Sequence, residues 1–292
     1  MNAPRHLLLT SQGLNAARDL AAVRDPKGRT ARPSVRPVSG GLLCTGPVLL
    51  RHDYVVEKDD AIRFLDATGD DNRIHREENV VPGALTAARV VALLEVLAPD
   101  LEIHDVRVKF TAPSYYGARA VAAIRLAPGA EGAVQADAET WFHGTVVAKT
   151  TVTGRLTPFA ARAVPVKERK VNRELLALVD CYFRSLGLDP AAYRHRAAEA
   201  DYTYPVSFLA ALPSGEMVRQ LAGQGGMLNA LSLSFGDSPR LPIVGAKLPE
   251  VTIEQGKVRR ESLFARVLTR IIEGLTTYGR GFALVASSGA RA

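Results

Sequence analysis

Between Pro82 and Pro99 the chain runs through Ala84, Leu85, Ala87, Ala88, Val90, Val91, Ala92, Leu93, Leu94, Val96 and Leu97, leaving almost no polar face. Pro82 suits the opening of a helix, where a missing N–H removes no bond, and Pro99 cannot continue one. A helix that is apolar all the way round has to be enclosed by other structure. The chain that follows supplies the enclosure. Segments 103–110, 118–126, 133–142 and 145–156 are rich in β-branched or alternating residues and are separated by Pro, Gly or Ala-Pro-Gly turns. Hairpin-length connections make such strands antiparallel. The periodicity therefore predicts an α+β unit, an antiparallel sheet with a helix on one face.

Ahead of the apolar helix, Asp59 and Asp60 are candidate N-caps for a helix through Ile62, Phe64 and Leu65, and Gly69 is suited to end it. The loop that begins at Gly69 is then expected to be exposed. The second half repeats the order. Pro165 and the charged stretch 167–173 resemble a linker. Leu175, Leu176, Leu178, Val179, Tyr182 and Phe183 mark a helix ended by Gly187, and Pro205 opens another that Pro213 must kink, stop or restart. Strand-like segments follow at 231–235, 251–255, 260–273 and 276–286.

A chain of 292 residues accommodates two such units. Its apolar runs fall short of the roughly 20 residues of a membrane span. The short run at Leu7, Leu8 and Leu9 gives way to Ser11, Gln12 and Asn15, unlike a signal peptide, so a cytoplasmic location is expected. The net charge of +7 is concentrated before Gly41, where seven basic residues face Asp19 and Asp25. With Pro26, Pro33, Pro37 and Gly40-Gly41, residues 1–41 read as a flexible basic arm with a short helix over 14–23. Charge confined to an arm argues against a nucleic-acid partner for the folded part. Cys44 and Cys181 lack ligand or disulfide spacing and read as buried apolar residues, so no metal site is expected.

The chemistry lies just before the apolar helix, in Gly69-Asp70-Asp71-Asn72-Arg73-Ile74-His75-Arg76-Glu77, followed by Val80-Val81-Pro82-Gly83. Taken alone, Gly-Asp-Asp-Asn is an ordinary polar turn, and a lone His in a loop is usually solvated. Beside the Pro-Gly helix start, the apolar helix and the later Lys109-Phe110-Thr-Ala-Pro113-Ser-Tyr-Tyr-Gly117, the segment resembles the signature of the MaoC-like, or hydratase-2, family. Asp70, Asn72, His75 and Glu77 match its Asp-x-Asn-x-x-His and following acidic residue, and Gly83 matches the glycine that opens its helix. The resemblance covers roughly residues 50–156. Arg73 stands where the family usually has Pro, and Pro82 where many members have His; neither removes a proposed catalytic group.

The resemblance implies a tandem hot-dog fold, each antiparallel sheet wrapped around a central buried helix: a catalytic unit over 42–160 and a divergent, non-catalytic unit over 161–292. It further implies (R)-specific hydration of a 2-enoyl thioester, or the reverse dehydration of a 3-hydroxyacyl thioester. The acyl group would be carried on coenzyme A or on the phosphopantetheine of an acyl carrier protein, with no other cofactor. Adding water across the double bond needs one group to take a proton from water and one to exchange a proton at the carbon alpha to the carbonyl. A carboxylate and an imidazole on either side of one water can divide that work, and Asp70 and His75 are the candidates. Asn72 can hold the turn. Gly83 at a helix N-terminus can donate its N–H to the thioester oxygen as negative charge grows there.

In the second half, Asp189, Ala191 and Arg194 echo the spacing without the amide or the imidazole, unless Asp189 simply starts the Pro190 turn. That half would complete the fold and shape an acyl tunnel, and the tandem would act as a monomer or homodimer. His52, His104, His143 and His195 have no partner at a telling spacing. A hot-dog thioesterase and a non-catalytic acyl-binding or scaffold protein are the competing readings.

Overall fold

In the computed structural model the apolar segment after Pro82 is a helix, Gly83–Leu97, in which every residue from Ala84 onward is buried. The structure describes residues 6–10, 19–21, 23–24, 30–31, 35–38, 41–157, 171–194, 202–221, 227–236, 241–244, 247–255, 264–273 and 276–286. The strands are β1 (Leu7–Thr10), β2 (Asp19–Ala21), β3 (Val23–Arg24), β4 (Thr30–Ala31), β5 (Val35–Val38), β6 (Gly41–Cys44) and β7 (Val48–Val55). Helices α1 (Lys58–Thr68), α2 (Arg73–Glu77) and α3 (Gly83–Leu97) lead to β8 (Leu101–Phe110), β9 (Arg119–Pro128), β10 (Ala133–Phe142) and β11 (Thr145–Leu156). The second half has α4 (Arg173–Ser185), α5 (Pro190–Arg194) and α6 (Val206–Leu221), then β12 (Met227–Ser234), β13 (Glu250–Gln255), β14 (Phe264–Glu273) and β15 (Thr276–Ala286).

Among the described residues, one ten-stranded sheet runs β13-β14-β15-β12-β8-β11-β10-β9-β7-β2. Its halves meet where β12 pairs antiparallel with β8, Ala230 opposite Lys109 and Ser234 opposite Asp105. Each of these two strands follows the long apolar helix of its own half. Outward from the junction, β8, β11, β10, β9 are mirrored by β12, β15, β14, β13. Alternation explains the register: in β10, Val134, Ala136, Ala138, Thr140 and Phe142 point inward while their neighbours are more exposed. Pairing edge to edge removes the open strand that each half would otherwise present. The architecture is the expected α+β tandem hot-dog.

Some local expectations give way. Helix α1 begins at Lys58 with Glu57 in the cap position, so Asp59 and Asp60 lie in its first turn, where they favour the helix dipole. Helix α6 continues through Pro213; a proline there leaves a carbonyl short of its N–H, and the Ser214 hydroxyl donates to Ala211 O at 2.8 Å within the same turn. Cys44 is buried, but Cys181 only partly so. The linker expected over 165–173 falls mostly outside the described residues, apart from 171–173, where Asn172 caps α4 through Glu174 N and Leu175 N.

The expectation of a poorly packed arm is corrected where the arm is described. Leu7 and Leu9 are fully buried, β1 pairs with β6, and Thr10 Oγ1 donates to Val96 O at 3.0 Å in the last turn of α3. The Leu7, Leu9 alternation fits an inward strand face, which composition alone disguises. The short helix over 14–23 is also corrected in part: Asp19–Ala21 pairs with β7, and 11–18 lie outside the described residues.

Two charged residues of α3 are buried as well. The Arg89 guanidinium lies 4.1 Å from the Tyr54 ring centroid, a cation–π contact. The Glu95 carboxylate accepts from Val206 N at 2.6 Å and Ser207 N at 3.3 Å, so the first central helix caps the N-terminus of the second. Glu95→Ala would leave two buried N–H groups unsatisfied, at about 1–3 kcal/mol each. Denaturant unfolding should show that loss, with Glu95→Gln retaining part of it.

Candidate active site

Helix α1 ends as its sequence requires, with Gly69 in the left-handed region at φ 69° and its N–H bonded to Leu65 O. The next N–H, that of Asp70, bonds the same carbonyl at 2.9 Å. This double closure turns the chain inward. Asp70 is 3% exposed, contrary to the exposed loop expected after Gly69. One carboxylate oxygen accepts from Asn72 N at 3.0 Å, and Asn72 Oδ1 accepts from Ile74 N at 3.2 Å, capping α2. Asn72 thus opens a short helix, and His75 lies on that helix rather than in a loop.

His75 Nδ1 is 3.0 Å from Val80 O. A carbonyl can only accept, so that nitrogen carries the proton and the Nε2 lone pair is left free in the neutral ring. Burial pushes the His75 pKa below its usual value, outweighing the Asp70 charge and the Val80 bond, which both push it up. At the position where the family has Pro, Arg73 pairs with Glu77 at 2.8 Å along the exposed face of α2.

Arg76 and Tyr116 escape a reading by motif. Arg76 Nη2 donates to Asp66 Oδ1 at 2.8 Å, Asp71 Oδ1 at 3.1 Å and Asp70 O at 3.4 Å. Tyr116 Oη donates to His75 O at 2.8 Å, while Tyr116 N bonds Asn79 O and Val81 N bonds Ser114 O. The turn after β8 therefore clamps the segment that carries Asp70 and His75. Its Ser-Tyr-Tyr lay inside the recognised Phe-Pro-Gly stretch, but nothing local marks a tyrosine that reaches 41 residues back.

Pro82 caps α3 without a side-chain bond, and the Gly83, Ala84 and Leu85 N–H groups that open the helix have no carbonyl within it to bond. A Cβ on Gly83 would stand 3.0 Å from the Phe110 ring, which explains a glycine beside an aromatic wall. Asp70, Asn72, His75 and Gly83 all line one cavity of about 530 Å³, together with Thr86 and Phe110. The second half contributes Ser214, Met217, Val218, Leu228 and Val285 to its wall. Helix α6 also braces the site: a Cβ on Gly215 would lie 2.5 Å from Thr68 O and 2.7 Å from Gly69 O, just ahead of Asp70.

The second-half echo realigns. Asp189 Oδ1 accepts from Ala191 N at 2.9 Å at the start of α5, as Asn72 does at the start of α2. Asp189 thus corresponds to the capping Asn72, and Ala192 falls at the position of His75. His52 is buried and stacks on Tyr54, His143 occupies the β10–β11 turn with φ 47°, and His195 lies outside the described residues. His104 O accepts from Phe235 N. No helix among the described residues is long and apolar enough to cross a membrane.

No protein-family model and no curated protein matches the chain. Solved structures do. A MaoC-like dehydratase aligns with TM-score 0.59 at 11% identity, over 82% of this chain and 98% of that one. A MaoC-like dehydratase from Phytophthora capsici aligns with TM-score 0.52 at 12% identity, over 84% and 97%. The 12:0-ACP thioesterase from Umbellularia californica aligns with TM-score 0.51 at 7% identity, over 82% and 94%. At such identities the likeness is one of fold, and the fold of this chain is that of the MaoC-like hot-dog proteins.

Proposed function

We propose that the protein catalyses the reversible hydration of a 2-enoyl thioester to a 3-hydroxyacyl thioester. The observation that carries this reading is the free Nε2 of a neutral His75, held by its Nδ1 bond to Val80 O in the same cavity as the buried Asp70 and the open N-terminus of α3. His75 takes a proton from a water that Asp70 also holds, and the water oxygen adds to C3. Electrons move onto the thioester oxygen, where the Gly83 N–H stabilises the charge. The imidazolium, steadied by the Asp70 carboxylate, returns the proton to C2; dehydration reverses these steps. The acyl chain extends toward Met217, Val218, Leu228 and Val285, the apolar wall from the second half.

A coupled assay over short, medium and branched 2-enoyl thioesters, on coenzyme A and on an acyl carrier protein, tests the reading. Product mass separates addition of water to the alkene from hydrolysis of the thioester, the activity named for the plant protein. Failure to turn over any of them would leave only acyl binding.

The state of His75 has its own consequence. Because burial depresses its folded pKa, the imidazole stays neutral to a lower pH than a free histidine does. The stability this contributes is present above the unfolded pKa and is lost as pH falls through the folded one. Activity should fall over the same acid range. NMR titration of the His75 ring should give a midpoint under 6.5. Asp70→Asn should move it lower still, since the carboxylate charge raises it.

A further inference from the structure

Thr86 lies in the first turn of α3, three residues after Gly83, and lines the same cavity. It is 2% exposed, and its hydroxyl has no hydrogen-bond partner among the described residues. Helical threonines ordinarily satisfy that group on the carbonyl one turn back. Here Pro82 O accepts only the Thr86 N–H, at 3.3 Å. Side chains on a helix lean toward its N-terminus, so the hydroxyl sits over the turn whose N–H groups lack partners within the helix. Pro82 has already removed one backbone donor from that end. Buried polar groups are hydrogen-bonded as a rule, and an orphan on a residue that lines a cavity points to a bond completed by what the cavity takes up.

We propose that Thr86 is a second donor to the thioester carbonyl oxygen, so that the Gly83 N–H and the Thr86 O–H together hold the charge that develops there. The proposal rests on the reading of the cavity as an acyl-thioester site. It does not depend on which reaction follows, because hydration and hydrolysis both place negative charge on that oxygen. The donor is neutral and aimed by the helix, so it binds a thioester or ketone oxygen better than a hydrocarbon, which would leave the hydroxyl unsatisfied.

The test compares Thr86→Val, which keeps the shape and removes the hydroxyl, with Thr86→Ser, which keeps the hydroxyl. With a saturated, isotopically labelled acyl-CoA bound, the thioester carbonyl stretch should rise in frequency in Thr86→Val and stay near the parent value in Thr86→Ser. On a 2-enoyl substrate, kcat should fall about a hundredfold in Thr86→Val, the usual scale for one oxyanion donor, and about threefold or less in Thr86→Ser. Thr86→Val should melt no lower than the parent, because an apolar group replaces an orphaned hydroxyl. An unchanged carbonyl stretch together with unchanged kcat would overturn the proposal, as would rate losses matched by a lower melting temperature in Thr86→Val. A carbonyl shift without turnover by the parent would instead sustain Thr86 and refute hydration.

Discussion

Asp70→Asn and His75→Ala should each lower turnover of a 2-enoyl thioester by at least about a hundredfold while leaving the fold in place, the scale for losing a positioned acid or base. Asn at 70 is nearly isosteric and keeps an oxygen to accept from Asn72 N, the bond that shapes the turn. His75→Ala gives up the bond to Val80 O on a half-buried segment, about 1 kcal/mol of stability. Because carboxylate and imidazole act on one water, the double variant should be scarcely slower than either single one. Circular dichroism and melting curves check the fold, and steady-state rates check the chemistry. Near-parental rates in both single variants would remove these residues from the mechanism.

The second large effect is expected at a residue that touches neither water nor substrate. Gly215→Val would place a Cβ about where the carbonyl oxygens of Thr68 and Gly69 stand, 2.5 and 2.7 Å away. Backbone cannot yield as a side-chain tip does, so α6 must move from α1. Overpacking of this kind costs about 1–3 kcal/mol, or a drop in melting temperature of roughly 2–5 °C in a chain of this size. The displaced residues immediately precede Asp70. A shift near 1 Å at a catalytic group can cost on the order of a hundredfold in rate. Turnover measured below the variant's melting temperature should therefore fall far more than the loss of folded protein explains. If the rate followed the folded fraction alone, the second half would support the fold without positioning the site.

Much of this structure is legible from short stretches of chain. The unbroken apolar run of α3 demands enclosure, and the bounds of β10, β11 and β15 follow from alternation and turn residues within their own windows. Gly69 ends α1 because the left-handed closure needs a residue without a Cβ, and Asn72 caps α2 through a bond two residues long. The positions of Asp70, Asn72, His75 and Gly83 are readable for the same reason: one turn and one helix start lie within fourteen residues of sequence.

Local patterns misled where burial depends on distant partners. Asp70 reads as a solvated turn residue and is buried, and the basic segment before Gly41 reads as an arm although Leu7 and Leu9 fill space beside α3. Glu95 and Arg89 are invisible as buried charges until the N-terminus of α6 and the Tyr54 ring are in place. Sequence by itself determined the elements, the antiparallel order within the first unit and the catalytic candidates, because periodicity, capping and turn chemistry act over a few residues. Only the tertiary structure decided that Asp70 leaves water, that Tyr116 grips the His75 carbonyl, and that Ser214, Met217, Leu228 and Val285 close the cavity. Those contacts join residues 41 to 111 or more positions apart, as the Tyr116 and Glu95 bonds do, and exist only once packing has met the entropy of bringing them together.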